Sequence, residues 1–212
     1  MTRLFGADPA RAHVSVSTYN AYAAALAAEH GLRVAVDPGA TVLTDAALWQ
    51  LADSVVGSWD GDVETDSAVS SIVTAVPRLA AQARDHRVTP HQLRTWASAA
   101  LAFMEALPKK DGGGPGPFTQ DLGRVVGKVR SLISLADLIE EFDARKRANS
   151  LLDFSDQVDI AVKLAQIPAV QEIERSRYVA VLLDEFQDTS PPQLGLFAHL
   201  FGSTHPVMAV GD

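Results

Sequence analysis

Three acidic residues follow an apolar run near the end of the 212-residue sequence. Residues 178–193 read YVAVLLDEFQDTSPPQ, so Asp184 and Glu185 come directly after the apolar run and Asp188 follows three residues later. The apolar residues predict a strand over 178–183, and because it has so few polar positions we expect a parallel sheet covered on both faces. Ligands collect at the carboxyl ends of such strands, so these carboxylates are predicted to lie at a binding site.

The order of these acids suits the chemistry of a bound nucleotide. A lone carboxylate at a strand end, here Asp184, fits Mg²⁺, which keeps most of its waters and bridges to phosphate oxygens. Glu185 could orient or deprotonate an attacking water. This division of roles is the one expected of a nucleoside triphosphatase. Two alternatives stay open: the acids cap the next helix or solvate a loop, or they form a metal nuclease cluster, which usually draws acids from several strands.

Composition excludes several other classes of protein. There are no cysteines, which removes disulfides, thiolate catalysis and cysteine-based zinc sites. The formal net charge of −8 argues against binding nucleic acid through bulk charge, so any contact with DNA must be local. No apolar segment approaches the ~18–20 residues that cross a bilayer, and the first residues lack the apolar stretch of a secretory signal. We therefore expect a cytoplasmic protein with no membrane partner.

Histidines and short basic runs are weaker candidates. The histidines form no i,i+4 pair and no H-E-x-x-H motif, so we expect surface or capping roles for them rather than zinc binding. They are His13, His30, His86, His91, His199 and His205. The basic runs at 109–110 and 145–147 could meet DNA phosphates, but such runs are usually solvated helix ends, which is the interpretation we favour.

Strand and helix patterns divide the chain into three parts. The predicted parts are residues 1–43, 44–150 and 151–212. In the first part, the alternating sequence HVSVSTY predicts a strand over 13–19, and the Ala-rich run after it predicts a helix that ends at Gly31. The Asp-Pro-Gly sequence at 37–39 predicts a turn.

The middle part has only helical patterns. Thr44 is positioned to cap a helix, and 68–84 predicts another, bent or interrupted at its proline. Thr89 opens a capping box with proline at the first helical position. The segment 109–117, KKDGGGPGP, predicts a flexible loop. A long helix should follow, because 135–142 carries an apolar stripe at helical spacing.

The last part returns to alternating strand and helix. Asp153 is positioned to cap a helix, 192–201 predicts another helix, and 206–210 predicts a second apolar strand. An all-helical part therefore interrupts an α/β part, and we predict an α/β fold with a parallel sheet and an all-helical insert.

These segments resemble the UvrD/Rep/PcrA group of superfamily 1 DNA helicases. LLDEFQDT at 182–189 looks like the group's Walker B motif, an apolar strand followed by DE-F/Y-QDT. Three further segments agree in order and spacing: VSTYNAY at 16–22, LLDFSDQV at 151–158, and VMAVGD at 207–212, which resembles the opening of motif III. DFSDQ and DEFQDTS are also similar to RecB-like and AdnAB-like helicase-nucleases.

The resemblance implies a RecA-like P-loop motor domain, incomplete in this sequence, that uses ATP and Mg²⁺ to move on single-stranded DNA or a single-strand/duplex junction. It assigns Mg²⁺ to Asp184 and activation of the hydrolytic water to Glu185. It assigns Gln187 and Asp188 to the coupling between nucleotide state and DNA.

The resemblance also implies a DNA contact near the start of the chain. Thr18 and Tyr19 would lie along the bound strand, and Asn20 stands where the family usually has histidine. The alternative for these three residues is a helix cap with a buried aromatic side chain, and the sequence favours neither interpretation over the other.

The phosphate-binding motif of the family has no match in this sequence. The motif G-x-x-x-x-G-K-[ST] holds the β- and γ-phosphates, but Gly127-Lys128 is followed by Val129 and preceded at the first glycine position by Leu122. We therefore expect an internal fragment that works with the remainder of a helicase chain and does not hydrolyse ATP alone. The alternative is a complete, non-catalytic binding or regulatory module, from a split or decayed helicase gene.

Overall fold

Helices and two small parallel sheets make up the computed structural model, which describes residues 14–37, 39–63, 68–107, 120–202 and 204–212. The helices are α1 (Tyr19–His30), α2 (Asp45–Gly57), α3 (Val69–Asp85), α4 (Pro90–Ala106), α5 (Gln120–Ala148), α6 (Phe154–Ala165), α7 (Pro168–Arg177) and α8 (Pro191–Phe201). The strands are β1 (Thr41–Val42), β2 (Leu151–Leu152), β3 (Val181–Leu183) and β4 (Val207–Ala209). Over the described ranges, no helix combines the length and apolar character that a membrane span requires.

Side-chain caps fix the starts of several helices, as the sequence predicts. The Oγ1 atom of Thr44 accepts a hydrogen bond from Ala47 N at 3.3 Å at the start of α2. Thr89 and Gln92 form the predicted capping box of α4, and Asp153 caps α6. These predictions are confirmed because a cap is a local interaction between residues three apart. Helix α3 continues through Pro77, so of the two predicted outcomes, a bend or an interruption, the interruption is wrong.

The two sheets each pair strands that are distant in sequence. β1 pairs parallel with β2 in the register Thr41↔Leu151 and Val42↔Leu152. β3 pairs parallel with β4, with Leu182 opposite Met208. The prediction that both segments are strands of a parallel sheet is confirmed, although β3 begins only at Val181.

The prediction that β3 is covered on both faces is wrong. The side chain of Leu183 is buried, but the preceding residue on the strand, Leu182, faces the other way and is 74% exposed. Its neighbour on β4, Met208, is 61% exposed. The described helices therefore bury one face of this two-stranded sheet and leave the other open.

The prediction of a strand over 13–19 is also wrong. His13 lies outside the described residues; 14–18 form no strand, and α1 begins at Tyr19. Val14 and Val16 are both exposed, so the alternating pattern has no face to bury. A strand needs a neighbour that supplies backbone partners, and among the described residues none pairs with this segment. The predicted loop at 109–117 lies outside the described residues, as does Pro38 in the predicted turn.

Two clusters of buried apolar side chains hold the elements together. One joins α1, α6, α8 and β3 and includes Leu26, Leu164, Leu183 and Leu200. The other joins α2, α3 and α5; its largest members with less than 2% exposure are Val55, Val73, Val76, Leu138, Ile139 and Phe142.

A buried ion-pair network connects α3, α5 and the start of α6. The ammonium of Lys146 lies 2.5 Å from Asp153 Oδ2 and 2.7 Å from Asp156 Oδ2, and only 2% of its side chain is exposed. Arg84 pairs with the same two carboxylates at 3.3 and 3.2 Å and also contacts Asp143. The interpretation of 145–147 as a solvated basic run is therefore wrong for Lys146, because its partners come from another part of the chain.

Candidate functional site

The acidic segment after β3 forms a tight turn at the end of the strand. Asp184 follows the last residue of β3, and Glu185 has a left-handed backbone with φ of 52°. A short 3₁₀ helix, Phe186–Asp188, completes the turn. A left-handed conformation costs a residue with a side chain roughly 1–2 kcal/mol, so the surrounding contacts must hold this turn in place. We call residues 184–188 the acidic turn.

Backbone hydrogen bonds tie the acidic turn to the end of β4. Phe186 N donates to Val210 O at 2.9 Å, and Val210 N donates to Leu183 O at 2.8 Å. The parallel pairing of β3 and β4 therefore continues past the strands into the acidic turn. As a result, the turn and the segment after β4 have one fixed relative position.

Gln187 connects the acidic turn to the segment after β4 through its side chain. Its Nε2 donates to Glu185 Oε2 at 2.5 Å, and its Oε1 accepts from Asp212 N at 3.3 Å. A Cβ at Gly211 would collide with Gln187 Oε1 and lie 3.1 Å from Gln187 N, so only glycine permits this close approach. Gln187 thus orients the carboxylate of Glu185.

The carboxylate of Asp184 is exposed and available for a ligand. Within the described ranges, no hydrogen bond or ion pair engages its oxygens, and the same holds for Asp188. An unpaired carboxylate that directly follows a parallel strand fits the hard, oxygen-preferring Mg²⁺ ion. The residues present are therefore compatible with the metal that the sequence predicts.

The structure brings the predicted DNA-contacting segment to the acidic turn. The hydroxyl of Tyr19 donates to the backbone carbonyl of Asp184 at 2.5 Å, and its ring centroid lies 5.3 Å from that of Phe197. Thr18 Oγ1 accepts from Ala21 N at 3.1 Å, so Thr18 is the cap of α1. The cap and the half-buried aromatic of the alternative interpretation are both present, yet the segment also touches the acidic turn.

Asn20 is joined to α8, a connection that sequence reasoning missed. Gln193 Nε2 donates to Asn20 Oδ1 at 3.0 Å, while its Oε1 accepts from the backbone N–H of Ser190 at 3.0 Å. The only local signal for Gln193 is its position three residues after a serine at a helix start. Its partner on α1 is 173 residues away in sequence, which no local pattern reveals.

Together, the parallel strand pairs and the helices that pack on them define a helix-rich α/β protein with exposed carboxylates at the end of β3. The family-wide sequence profile described as UvrD/REP helicase N-terminal domain matches residues 13–212. The chain belongs to this family.

Individual relatives match shorter stretches. The chain is 32% identical over 84 residues to a subunit of the ATP-dependent helicase/nuclease of Staphylococcus saprophyticus, covering 37% of this chain and 7% of that protein. It is 36% identical over 70 residues to the ATP-dependent DNA helicase UvrD1 of Mycobacterium tuberculosis, covering 32% of this chain and 9% of that protein. The like-named helicase/nuclease subunit of Oenococcus oeni is 35% identical over 88 residues, 41% of this chain and 7% of the relative. The matched segments thus span under a tenth of these relatives' length.

Proposed function

We propose that this chain is part of the first motor domain of an ATP-dependent DNA helicase or translocase that moves on single-stranded DNA. In this proposal, 1–43 and 151–212 belong to one RecA-like domain and 44–150 is a helical insert. The two separate apolar clusters support this division, since one lies mainly in the first and last parts and the other within the middle part. The family, and relatives named as ATP-dependent DNA helicases, support the activity.

One observation carries the proposal: the free carboxylate of Asp184 directly follows a parallel strand, and the backbone carbonyl of the same residue accepts a hydrogen bond from Tyr19. Asp184 would hold Mg²⁺, which neutralises charge on the β- and γ-phosphates when it is bound. Glu185, oriented by the Gln187 amide, accepts a proton from the attacking water. Asp188 lies free on the same turn, where it can respond to the nucleotide.

Contacts around the acidic turn offer a route from nucleotide to DNA. The Gln187 side chain contacts Glu185 and the segment after β4. In this proposal, a change at the phosphates therefore shifts the position of Glu185 and of that segment together. Tyr19 carries the same change to the start of α1. Thr18 and Asn20 are exposed there, and we propose that they contact the DNA strand.

The decisive experiment is Glu185→Gln in the complete coding product that contains this segment. We expect ATP hydrolysis stimulated by single-stranded DNA to fall by about 10²–10⁴-fold, the usual contribution of a general base. ATP binding should remain, because the substitution keeps size and removes only the proton acceptor. Glu172→Gln, at an exposed position on α7, is the matched control and should leave the rate unchanged. An equal rate in Glu185→Gln and the parent would contradict the proposal.

The isolated chain should not hydrolyse ATP above background, because the sequence has no phosphate-cradling motif to hold the nucleotide. A steady-state phosphate-release assay with and without single-stranded DNA measures this. Activity that disappears in Glu185→Gln would overturn the expectation.

The alternative, a non-catalytic binding or regulatory module, is distinguished by the flanking coding sequence: a G-x-x-x-x-G-K-[ST] motif upstream supports the motor and its absence supports the module.

A further inference from the structure

A second cluster of polar side chains lies where the ends of α1 and α7 meet. The Nε2 atom of His30 is 3.8 Å from Glu29 Oε1 and 4.0 Å from Glu174 Oε1. His30 is 6% exposed and Glu174 is 1% exposed, whereas Glu29 is at the surface. We call Glu29, His30 and Glu174 the α1–α7 cluster. Its ligand atoms lie within 4.8 Å of one another.

His30 is the unusual member of the α1–α7 cluster. Its Nε2 is buried and has no hydrogen-bond partner in the described part of the chain. Buried polar nitrogen atoms nearly always have a partner, so an unpartnered one that faces two carboxylates calls for an explanation. The expectation that His30 has a surface or capping role is wrong, because its neighbour Glu174 lies 144 residues further along the sequence and no local motif shows it.

Glu174 is held in place as a metal-binding carboxylate would be. The hydroxyl of Tyr22 donates to Glu174 Oε2 at 2.7 Å, and burial, together with that carboxylate, raises the pKa of Tyr22 above its ordinary value. Tyr22 is therefore a permanent donor at neutral pH. The Oε1 atom lies on the other side of the carboxylate, 4.0 Å from His30 Nε2, and accepts a hydrogen bond from Arg177. Ordered hydrogen bonds of this kind orient the ligands of metal sites.

We propose that the α1–α7 cluster binds a divalent transition-metal ion of the Zn²⁺ class through His30 Nε2, Glu174 Oε1 and Glu29 Oε1. Bonds of about 2.0–2.2 Å to a tetrahedral ion require ligand atoms roughly 3.4 Å apart, so the separations from His30 must close by only about half an ångström. One nitrogen with two carboxylate oxygens suits Zn²⁺ and its neighbours rather than Mg²⁺ or Ca²⁺. Water at the open side, beside Glu29, supplies the fourth ligand.

Arg177 occupies the position of the cation in the metal-free protein. Its guanidinium donates to Glu174 Oε1 at 2.8 Å and to Glu29 Oε2 at 2.7 Å, and it also donates to Glu29 Oε1. The Arg177 side chain is 40% exposed and long, so it can turn into solvent when a metal ion arrives. The ion then neutralises the two carboxylates that Arg177 neutralised before. The structure shows α1 and α7 joined through Arg177, and in this proposal a metal ion joins them in its place.

Metal titration of the purified chain tests this proposal without any readout of ATP hydrolysis. The outcome of this test is therefore independent of whether the chain takes part in helicase activity. Zn²⁺ at a hundredfold excess over Kd should raise Tm by roughly 5–10 °C. Co²⁺ should develop a visible absorption band typical of a nitrogen-containing site of low coordination number. Absence of both responses in the parent chain would overturn the proposal.

Variants identify the ligands. Glu29→Gln changes a surface residue and should fold normally, yet it should weaken Zn²⁺ binding by tenfold or more, about the size seen on loss of a site's supporting group. His30→Gln should abolish the Co²⁺ band. His199→Gln, an exposed histidine on α8, should respond like the parent. Equal metal responses in the parent, Glu29→Gln and His30→Gln would overturn the proposal.

Arg177→Gln separates metal binding from a purely structural ion pair. If the cluster is only an ion pair, this variant is less stable and gains nothing from metal. If Arg177 competes with the ion, the variant binds Zn²⁺ severalfold more tightly than the parent, and Zn²⁺ restores the Tm that the substitution removed. Unchanged or weaker binding would contradict the competition.

Discussion

At the scale of single residues, Gln187 connects the acidic turn to the segment after β4 through two side-chain hydrogen bonds. Its amide nitrogen holds Glu185 and its amide oxygen accepts from Asp212 N. Gly211 permits this arrangement because a side chain there would meet the Gln187 amide. The two residues therefore act as a pair, and a change in one should alter the effect of a change in the other.

Gly211→Ala should displace the Gln187 amide rather than the backbone, because the closest atom is the end of a flexible side chain. We expect a loss of about 1 kcal/mol in the free energy of unfolding, the value of one or two partly exposed hydrogen bonds. In the Gln187→Ala background the same substitution should cost less, which a double-mutant cycle from urea unfolding measures. Gly57→Ala, where a Cβ meets nothing within 4 Å, is the matched control. Strictly additive losses would refute the pairing.

At the scale of elements, the network around Lys146 joins α3 and α5, which pack together in one apolar cluster, to the start of α6, whose buried side chains belong to the other cluster. It brings α3 and α5 to the capping residue of α6. Burial raises the pKa of Asp153, but the charges of Lys146 and Arg84 outweigh this effect, so that the pKa lies below its ordinary value. Removal of one partner from such a network leaves the other charges buried and uncompensated.

Lys146→Met should lower the free energy of unfolding by about 3–5 kcal/mol at pH 7. Lys163→Met is the matched control: its ion pair with Asp159 joins two exposed side chains on one helix, so we expect a change of about 0.5 kcal/mol or less. Urea unfolding monitored by circular dichroism measures both. Equal losses in the two variants would show that burial of the network contributes nothing.

The same network predicts a pH dependence. Because the folded pKa of Asp153 is lowered, its stabilising contribution is complete above its unfolded pKa of about 3.9 and is lost as the pH falls through the folded value. Burial raises the pKa of Asp156 in the same network above its ordinary value, and Lys146 opposes that shift, so the difference in stability between the parent and Lys146→Met should shrink as the solution becomes acidic. A difference that grows as the pH falls would contradict this sign.

At the scale of the whole molecule, the open face of β3 and β4 leaves apolar side chains uncovered beside the acidic turn. Leu182 and Met208 lie next to each other there. Paired apolar strands with an exposed face favour association with other chains. The face thus gives the isolated chain a route to self-association.

Leu182→Gln should reduce self-association of the purified chain, because it places a polar amide at the centre of the open face. Leu32→Gln is the matched control, since Leu32 is similarly exposed but lies outside the sheet. Sedimentation velocity over a range of concentrations should show a mass that rises for the parent and for Leu32→Gln and less for Leu182→Gln. A parent chain that stays monomeric throughout would refute the prediction.

The sequence predicts local features well and distant contacts poorly. The caps at Thr44, Thr89 and Asp153 depend on residues three apart, and all three are confirmed. The burial of Lys146 depends on carboxylates from α6, and the exposure of Leu182 depends on which helices cover the sheet. Neither follows from a local pattern. Helix α7 was not predicted, although its proline at the first helical position is a signal for it.

The candidate site divides in the same way. The acidic residues and their position after a parallel strand follow from the apolar run and the motif around Asp184. The hydrogen bonds of Tyr19 to Asp184 and of Gln193 to Asn20 join residues 165 and 173 positions apart, and they exist only once α1 packs beside α8. The roles of Asp184, Glu185 and their neighbours in catalysis stay predictions until the variants are measured.

The register of β1 with β2 has a consequence for how this chain could change in evolution. The chain leaves β1 at Val42 and returns at Leu151, and these two positions belong to adjacent strands. The intervening residues therefore form a segment whose two ends lie close together in space. Evolution could therefore lengthen, shorten or replace this segment among distant homologues without changing the path of the chain around the acidic turn.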